Sequence, residues 1–149
     1  MNEKAANLAL LIVRVTLGVI FIAHGGQKLF GWFGGGGLEP VAGFLGSLGI
    51  PLPKIMAVLV GIAEFGGGLG VLVGLLTRVA ACGPLAVMIV GIFKVHLANG
   101  FFMNWYNIPN QGHGIEYCLA LASMALVLVI RGAGAYSLDG QRGQSRAKL

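Results

Sequence analysis

Four apolar stretches dominate this chain: residues 7–29, 53–76, 79–97 and 114–130. A hydrocarbon core about 30 Å thick takes about 20 helical residues to cross, so each stretch predicts a transmembrane helix. Hydrophobic residues make up 56% of the 149 and charged residues only 10%, far below the roughly 25% of a soluble domain. The expectation is an all-α integral membrane four-helix bundle in one domain, surrounded by the lipid bilayer. Lys4 followed by the apolar run from Leu8 to Val13 imitates a signal peptide. Arg14 interrupts that run and no small-residue cleavage site follows, so the segment reads as an uncleaved first span.

Pro53 suits a first helical turn, where its missing N–H is not needed. Pro84 falls early in the third span, where a mild kink is tolerated. Lys4, Arg78, Arg131, Arg142, Arg146 and Lys148 fall on the side shared by the two termini. The positive-inside rule makes that side cytoplasmic, with residues 131–149 a basic tail, and turns residues 30–52 and 98–113 outward. In bacterial terms this places the chain in the cytoplasmic (inner) membrane as a multi-pass protein. The net charge of +5 reads as topology signalling and attraction to anionic lipid. No nucleic-acid-binding module accompanies it.

The outward segments carry their own pattern. Gly34 to Gly37 is a flexible run, after which Leu38, Val41, Leu45 and Leu48 recur at helical spacing. That piece is too short to span, which predicts a short re-entrant or interfacial helix in the first outer loop. Trp32, Phe33, Phe101, Phe102, Trp105 and Tyr106 gather on the same side, as an interfacial aromatic belt or as a lid over a ligand site. In the second span Gly66, Gly70 and Gly74 make a small-xxx-small stripe that lets helices approach closely. Its partner is another span or a second copy in a homo-oligomer. Cys82 and Cys118 fall toward opposite ends of the membrane, so they are expected to pack and not to form a disulfide.

Apart from Lys54 at the very start of the second stretch, seven ionisable residues interrupt the apolar stretches: Arg14, His24, Lys28, Glu64, Lys94, His96 and Glu116. Each costs on the order of 3 kcal/mol in hydrocarbon, so such residues face a bundle interior or a wet cavity and pair with one another. The topology sorts them by depth. His24, Lys28, Lys94, His96 and Glu116 fall near the outer face and are the candidate pocket. Arg14 and Glu64 lie deeper and are expected to form a buried ion pair. Arg14, Gly18, Phe21, Gly25 and Lys28 follow one stripe of the first span. Lys94 and His96, two apart, do not point the same way on a regular helix.

Histidine, lysine and glutamate near one membrane face supply what proton-coupled reduction of a quinone ring requires: proton donors, and a cation or hydrogen-bond donor at each carbonyl. A haem held by His24 and His96, or zinc held by His24, His96, His113 and Glu116, has less support, because no further ligand motif accompanies those residues. No metal site is assigned. Gly34 to Gly37 lacks the Lys and Ser/Thr of a phosphate loop. No cofactor is evident in the sequence itself.

Several segments together carry a family resemblance. They are Arg14 with Gly18, HGGQKLFGWFGG from His24 to Gly35, LGIPLP from Leu48 to Pro53, AEFGGGLGVLVGLLTR from Ala63 to Arg78, KVHLANGFFMNW from Lys94 to Trp105, HGIEY from His113 to Tyr117, and GAGAYSLDG from Gly132 to Gly140. Over roughly residues 8–140 the chain resembles the DoxX family of small four-span bacterial membrane proteins. The resemblance implies a four-helix membrane fold and an oxidoreductase or oxidoreductase subunit linked to quinone chemistry. Arg14, Lys28, Glu64, Arg78, His96 and Glu116 match the family's polar signature, while His24 and Lys94 are typical of a subgroup. The alternatives to a quinone-linked redox component are a non-catalytic scaffold for a soluble redox or detoxification enzyme at the cytoplasmic face, and a small-molecule or lipid carrier.

Overall fold

The computed structural model describes residues 2–146, and those residues form helices with no strand among them. Helix α1 runs from Glu3 to Phe30, α2 from Leu38 to Ser47, α3 from Pro53 to Val73 and α4 from Thr77 to Gly91. A π turn, Ile92–His96, and a 3-10 turn, Leu97–Asn99, extend α4. Helix α5 spans Glu116–Arg131 and α6 spans Leu138–Arg146. Lys148, in the predicted basic tail, lies outside the described residues.

The protein is an integral membrane four-helix bundle of α1, α3, α4 and α5, with α2 as the short helix in the first long loop. Glu3–Phe30, Pro53–Val73 and Thr77–Asn99 are each long and apolar enough to cross a bilayer. Helix α5 is equally apolar but has only 16 residues; at 1.5 Å per residue that is about 24 Å.

Local chemistry sets the boundaries. The Asn2 side chain accepts the Ala5 N–H at 2.8 Å and starts α1, as an N-cap residue does. Gly31 ends α1 at φ 71°, and Gly74 ends α3 at φ 73°; both adopt the left-handed conformation that glycine takes without penalty. Pro53 occupies the first turn of α3. Pro84 lies inside α4, fully buried.

Helices α1 and α3 are antiparallel and meet through glycines spaced seven apart on each. A Cβ added at Gly18 would lie 2.8 Å from Leu72 Cβ, and one at Gly68 would lie 2.8 Å from the Ile22 nitrogen. Gly25 faces the backbone of Phe65, and Gly61 faces Leu29. The predicted stripe Gly66, Gly70, Gly74 is not this contact. Gly66 has nothing within 4 Å, Gly70 faces Ala80 on α4, and Gly74 faces Arg14 and Ser137. The i, i+4 pattern chosen in sequence wraps around the helix, whereas the seven-residue step keeps one face. Leu17, Phe21, Val71, Ala81, Leu121, Ala125 and Leu128 form the main apolar core. A smaller core of Ala42, Leu45 and Ala57 fixes α2 against α3.

At the end that carries the termini, the segment after α5 folds back over the bundle. Ala135 N–H donates to Asn7 Oδ1 at 2.9 Å. Asp139 N–H donates to the Gly74 carbonyl at 2.8 Å. The Asp139 carboxylate in turn accepts the Leu76 N–H, the Thr77 N–H and the Thr77 hydroxyl, each at 2.9 Å. It thereby caps α4 from a distant part of the chain, at the helix end whose free N–H groups favour an anion.

Candidate functional site

The buried charges are partnered differently from the expected Arg14–Glu64 pair. Arg14, 2% exposed, makes no ion pair with Glu64. Its Nε donates to Val71 O at 2.9 Å and its Nη2 to Leu72 O at 2.8 Å. Its Nη1 donates to Ala133 O at 3.1 Å and Tyr136 O at 2.8 Å. Carbonyls at a helix C-terminus lack intrahelical donors and carry partial negative charge, so the guanidinium fork is satisfied by backbone alone. Depth and side-chain reach suggested a carboxylate partner; the carbonyls at the end of α3 and in the returning segment compete successfully for it.

Glu64 is paired instead with Lys28. The Lys28 Nζ to Glu64 Oε2 distance is 2.5 Å, with side chains 24% and 3% exposed. Lys28 reaches Glu64 from the last turn of α1, and Glu64 sits at the middle of α3. The stripe expected on α1 is real: Arg14, Gly18, Phe21 and Gly25 are all buried.

This pair forms part of the wall of a cavity of about 520 Å³ between α2, α3 and α4. Most of the wall is aliphatic, from residues such as Val41, Leu45, Met56, Leu59, Val87 and Val90. Lys28, Glu64, Lys94 and His96 are its ionisable members, and Cys118 reaches it from α5. Both cysteines are free thiols. Lys94 and His96 lie in the π turn that ends α4 and both reach the cavity. Such turns recur at functional positions in helices. Among the described residues Lys94 has no carboxylate partner.

Two of the five predicted pocket residues do not line this cavity. His24 is exposed on α1. Glu116 opens α5 and is committed to the second long loop, where its Oε1 accepts the Met103 N–H at 2.9 Å and the Trp105 indole N–H at 3.0 Å. It therefore pairs with neither Lys28 nor Lys94. His96 Nδ1 lies 2.8 Å from the His113 carbonyl, which fixes its ring at the cavity edge and leaves Nε2 unassigned.

The second loop is an ordered structure that sequence reading missed. The N–H groups of Gly114, Ile115 and Glu116 donate to the carbonyls of Phe102, Gly100 and Phe101. Asn104, 8% exposed, is the hub. Its Nδ2 donates to Ile108 O and Gln111 O, its Oδ1 accepts the Ile108 N–H, and its N–H donates to His113 Nδ1. The short-range signal was an Asn in a stretch dense in turn residues.

The aromatic residues form separate clusters. Phe30, Trp32 and Phe65 pack with ring centroids 5.2 to 5.6 Å apart. Phe101 and Phe102 pair at 5.1 Å. Trp105 and Tyr106 are largely exposed, as expected of rings placed at a membrane interface. Among the described residues no group of three or more His, Cys, Asp or Glu side chains is positioned to hold a metal.

Known proteins share this pattern. The DoxX family profile matches residues 9–97. "Inner membrane protein YqjF" of Escherichia coli is 28% identical over 92% of this chain and 94% of its own length. "Putative oxidoreductase CatD" of Bacillus subtilis is 32% identical over 85% of this chain and 82% of its own. "Inner membrane protein YphA" of Escherichia coli is 27% identical over 91% of each. No solved structure gives a significant match. With a profile match over more than half its length and relatives aligned along most of the remainder, the chain belongs to the DoxX family.

Proposed function

We propose that this chain is the quinone-binding membrane component of a redox system and that the cavity beneath α2 receives the quinone ring. One observation carries the reading: an aliphatic cavity of about 520 Å³ that also presents the Lys28–Glu64 pair, Lys94 and His96. Small-molecule sites are typically about 300–1,000 Å³, mostly apolar, with a few convergent polar groups. The name of the Bacillus subtilis relative, "Putative oxidoreductase CatD", is in keeping with a redox role.

Reduction of a quinone to a quinol takes two electrons and two protons. Negative charge grows on the carbonyl oxygens as electrons arrive, and a cation fixed beside them stabilises that charge. Lys28 and Lys94 are the cations, His96 at the cavity edge donates one proton to a carbonyl oxygen, and the second proton comes from solvent. Glu64 holds Lys28 in place. The electrons come from a partner protein. Following the distribution of Lys and Arg, the termini are cytoplasmic and the cavity lies toward the outer face.

The test is equilibrium binding of a quinone to the purified protein. Wild type should bind, and Lys28→Ala should weaken binding by about tenfold or more, the factor expected for one charge-assisted hydrogen bond. Absence of quinone binding by wild type overturns the reading.

A second role is supported at the opposite end of the bundle, where Arg78, Arg131 and Arg142 are exposed. We propose that this basic face docks a soluble enzyme of the same system, a scaffold role separate from the supply of electrons, which enter at the cavity end. Reversing these three charges should release such an enzyme in co-purification while quinone binding persists; retention of the enzyme overturns the docking role.

A further inference from the structure

Helices α3 and α4 are close at one end and apart at the other. Near the turn that joins them, a Cβ at Gly70 would lie 2.7 Å from Ala80 Cβ, one at Gly67 2.6 Å from Pro84 Cδ, and one at Gly83 2.9 Å from the Ala63 carbonyl. Backbones this close leave no room for a ligand. Ala63 and Gly83 also belong to the cavity wall, and past them the wall continues along Leu59 and Val60 on α3 and Val87 and Val90 on α4. The helices therefore part beyond Ala63 and Gly83, and α2 covers only part of the gap.

Three residues show where the gap is open. Phe44 on α2, Leu59 on α3 and Val90 on α4 line the cavity, yet they are 50%, 52% and 49% exposed. Leu59 and Val90 stand well inside membrane-spanning helices. Beside them on the same helices, Ile55, Ile62 and Phe93 are exposed without lining the cavity, so Leu59 and Val90 stand at the edge between cavity wall and lipid-facing surface. A residue that borders both the cavity and the lipid marks a mouth.

We infer that the cavity opens sideways into the bilayer between α3 and α4, under α2, and takes an amphiphile whose polar ring sits at Lys28–Glu64 while its apolar tail stays in the membrane. This rests on the quinone reading and narrows its substrate class to quinones with a long apolar tail. Lys94, at the end of α4, gives the mouth a cation at the interface, so the ring can exchange one polar environment for another as it enters. The tail never has to leave hydrocarbon, which removes the main cost of moving such a molecule.

The experiment compares a tailless benzoquinone with one carrying a long isoprenoid tail, using the full chain in lipid nanodiscs and radiolabelled ligand. Val90→Trp and, on the facing wall, Leu59→Trp place bulk in the mouth. Ile62→Trp is the control, because Ile62 is 55% exposed on α3 but lies outside the cavity wall. The two mouth variants should weaken binding of the tailed quinone by about tenfold, the equivalent of losing about two buried methylene contacts. They should weaken binding of the tailless ring by a clearly smaller factor, so that the preference for the tailed quinone falls severalfold. The control should change neither. If the mouth variants weaken both ligands equally, or neither, the sideways mouth is wrong while the quinone site stands. If wild type binds neither quinone, the site reading fails and the mouth fails with it.

Discussion

Glu64 is held by Lys28, which lies 36 residues earlier and one helix away, and the two halves of that pair are unequally protected from solvent. Glu64 is 3% exposed and Lys28 is 24% exposed. Breaking a buried pair by deleting one partner typically costs about 3–5 kcal/mol because an uncompensated charge remains. Lys28→Met strands the better-buried group and should cost more than Glu64→Gln, whose stranded lysine can reach water. The double variant should recover most of the loss. Thermal unfolding of the three variants in one detergent checks the order; equal losses from both single variants contradict it.

Arg14 donates to four backbone carbonyls, so a lysine cannot replace it. A lysine keeps the charge but loses the planar fork that reaches two chain segments at once. Each carbonyl left unsatisfied in a buried site costs about 1–3 kcal/mol. Arg14→Lys should lower the unfolding midpoint clearly, and Arg14→Ala further. A lysine variant as stable as wild type would show that charge alone matters there.

Two glycines of α3 and α1 should respond in opposite directions. A Cβ at Gly25 would collide with the backbone of Phe65, whereas Gly66 has open space around it. Overpacking a close helix contact costs about 1–3 kcal/mol, while alanine in place of an unconstrained helical glycine gains up to about 1 kcal/mol. Gly25→Ala should therefore destabilise and Gly66→Ala should be neutral or stabilising. The comparison needs only unfolding midpoints.

Acid sensitivity is built in at Asp139. Burial works against its carboxylate, but the N–H groups of Thr77 and Leu76, the Thr77 hydroxyl and the charge of Arg142 outweigh it and hold its pKa below the ordinary value. A lowered native pKa gives stability that is complete above the unfolded value, about 3.9, and is lost as pH falls through the native value. Asp139→Ala should cost about 1 kcal/mol or more at neutral pH, as loss of a helix cap does. The gap to wild type should narrow as the pH drops below about 4. A gap that stays constant across that range would show that the carboxylate charge contributes nothing.

The spans and the short helix of the first loop were legible because hydrophobic length and helical spacing are local properties. Counting along antiparallel helices put His24, Lys28, Lys94, His96 and Glu116 at one depth, but depth does not say which way a side chain points, and His24 and Glu116 turn away from the cavity that Lys28, Lys94 and His96 line. Partner choice was not. Depth could not distinguish Lys28 from Arg14 as the cation for Glu64, because the competitors for Arg14 were backbone carbonyls, which carry no mark in a sequence. The cap that Asp139 gives α4 spans 62 residues and depends on how the segment after α5 turns back. The contact face of α3 was readable in principle: Gly61 and Gly68 repeat the spacing of Gly18 and Gly25, and matching periods on two helices were a better guide than the densest glycine run.

The carbonyls that satisfy Arg14 impose an order on biogenesis. Two of them belong to Ala133 and Tyr136, 119 and 122 residues downstream. While the ribosome is still making the later helices, the first one carries a guanidinium whose full set of acceptors does not yet exist. The first helix can pack on α3 early, but its guanidinium is fully satisfied only when the last segment has folded back. A chain cut short before residue 133 would leave Arg14 with only the carbonyls of Val71 and Leu72 as acceptors.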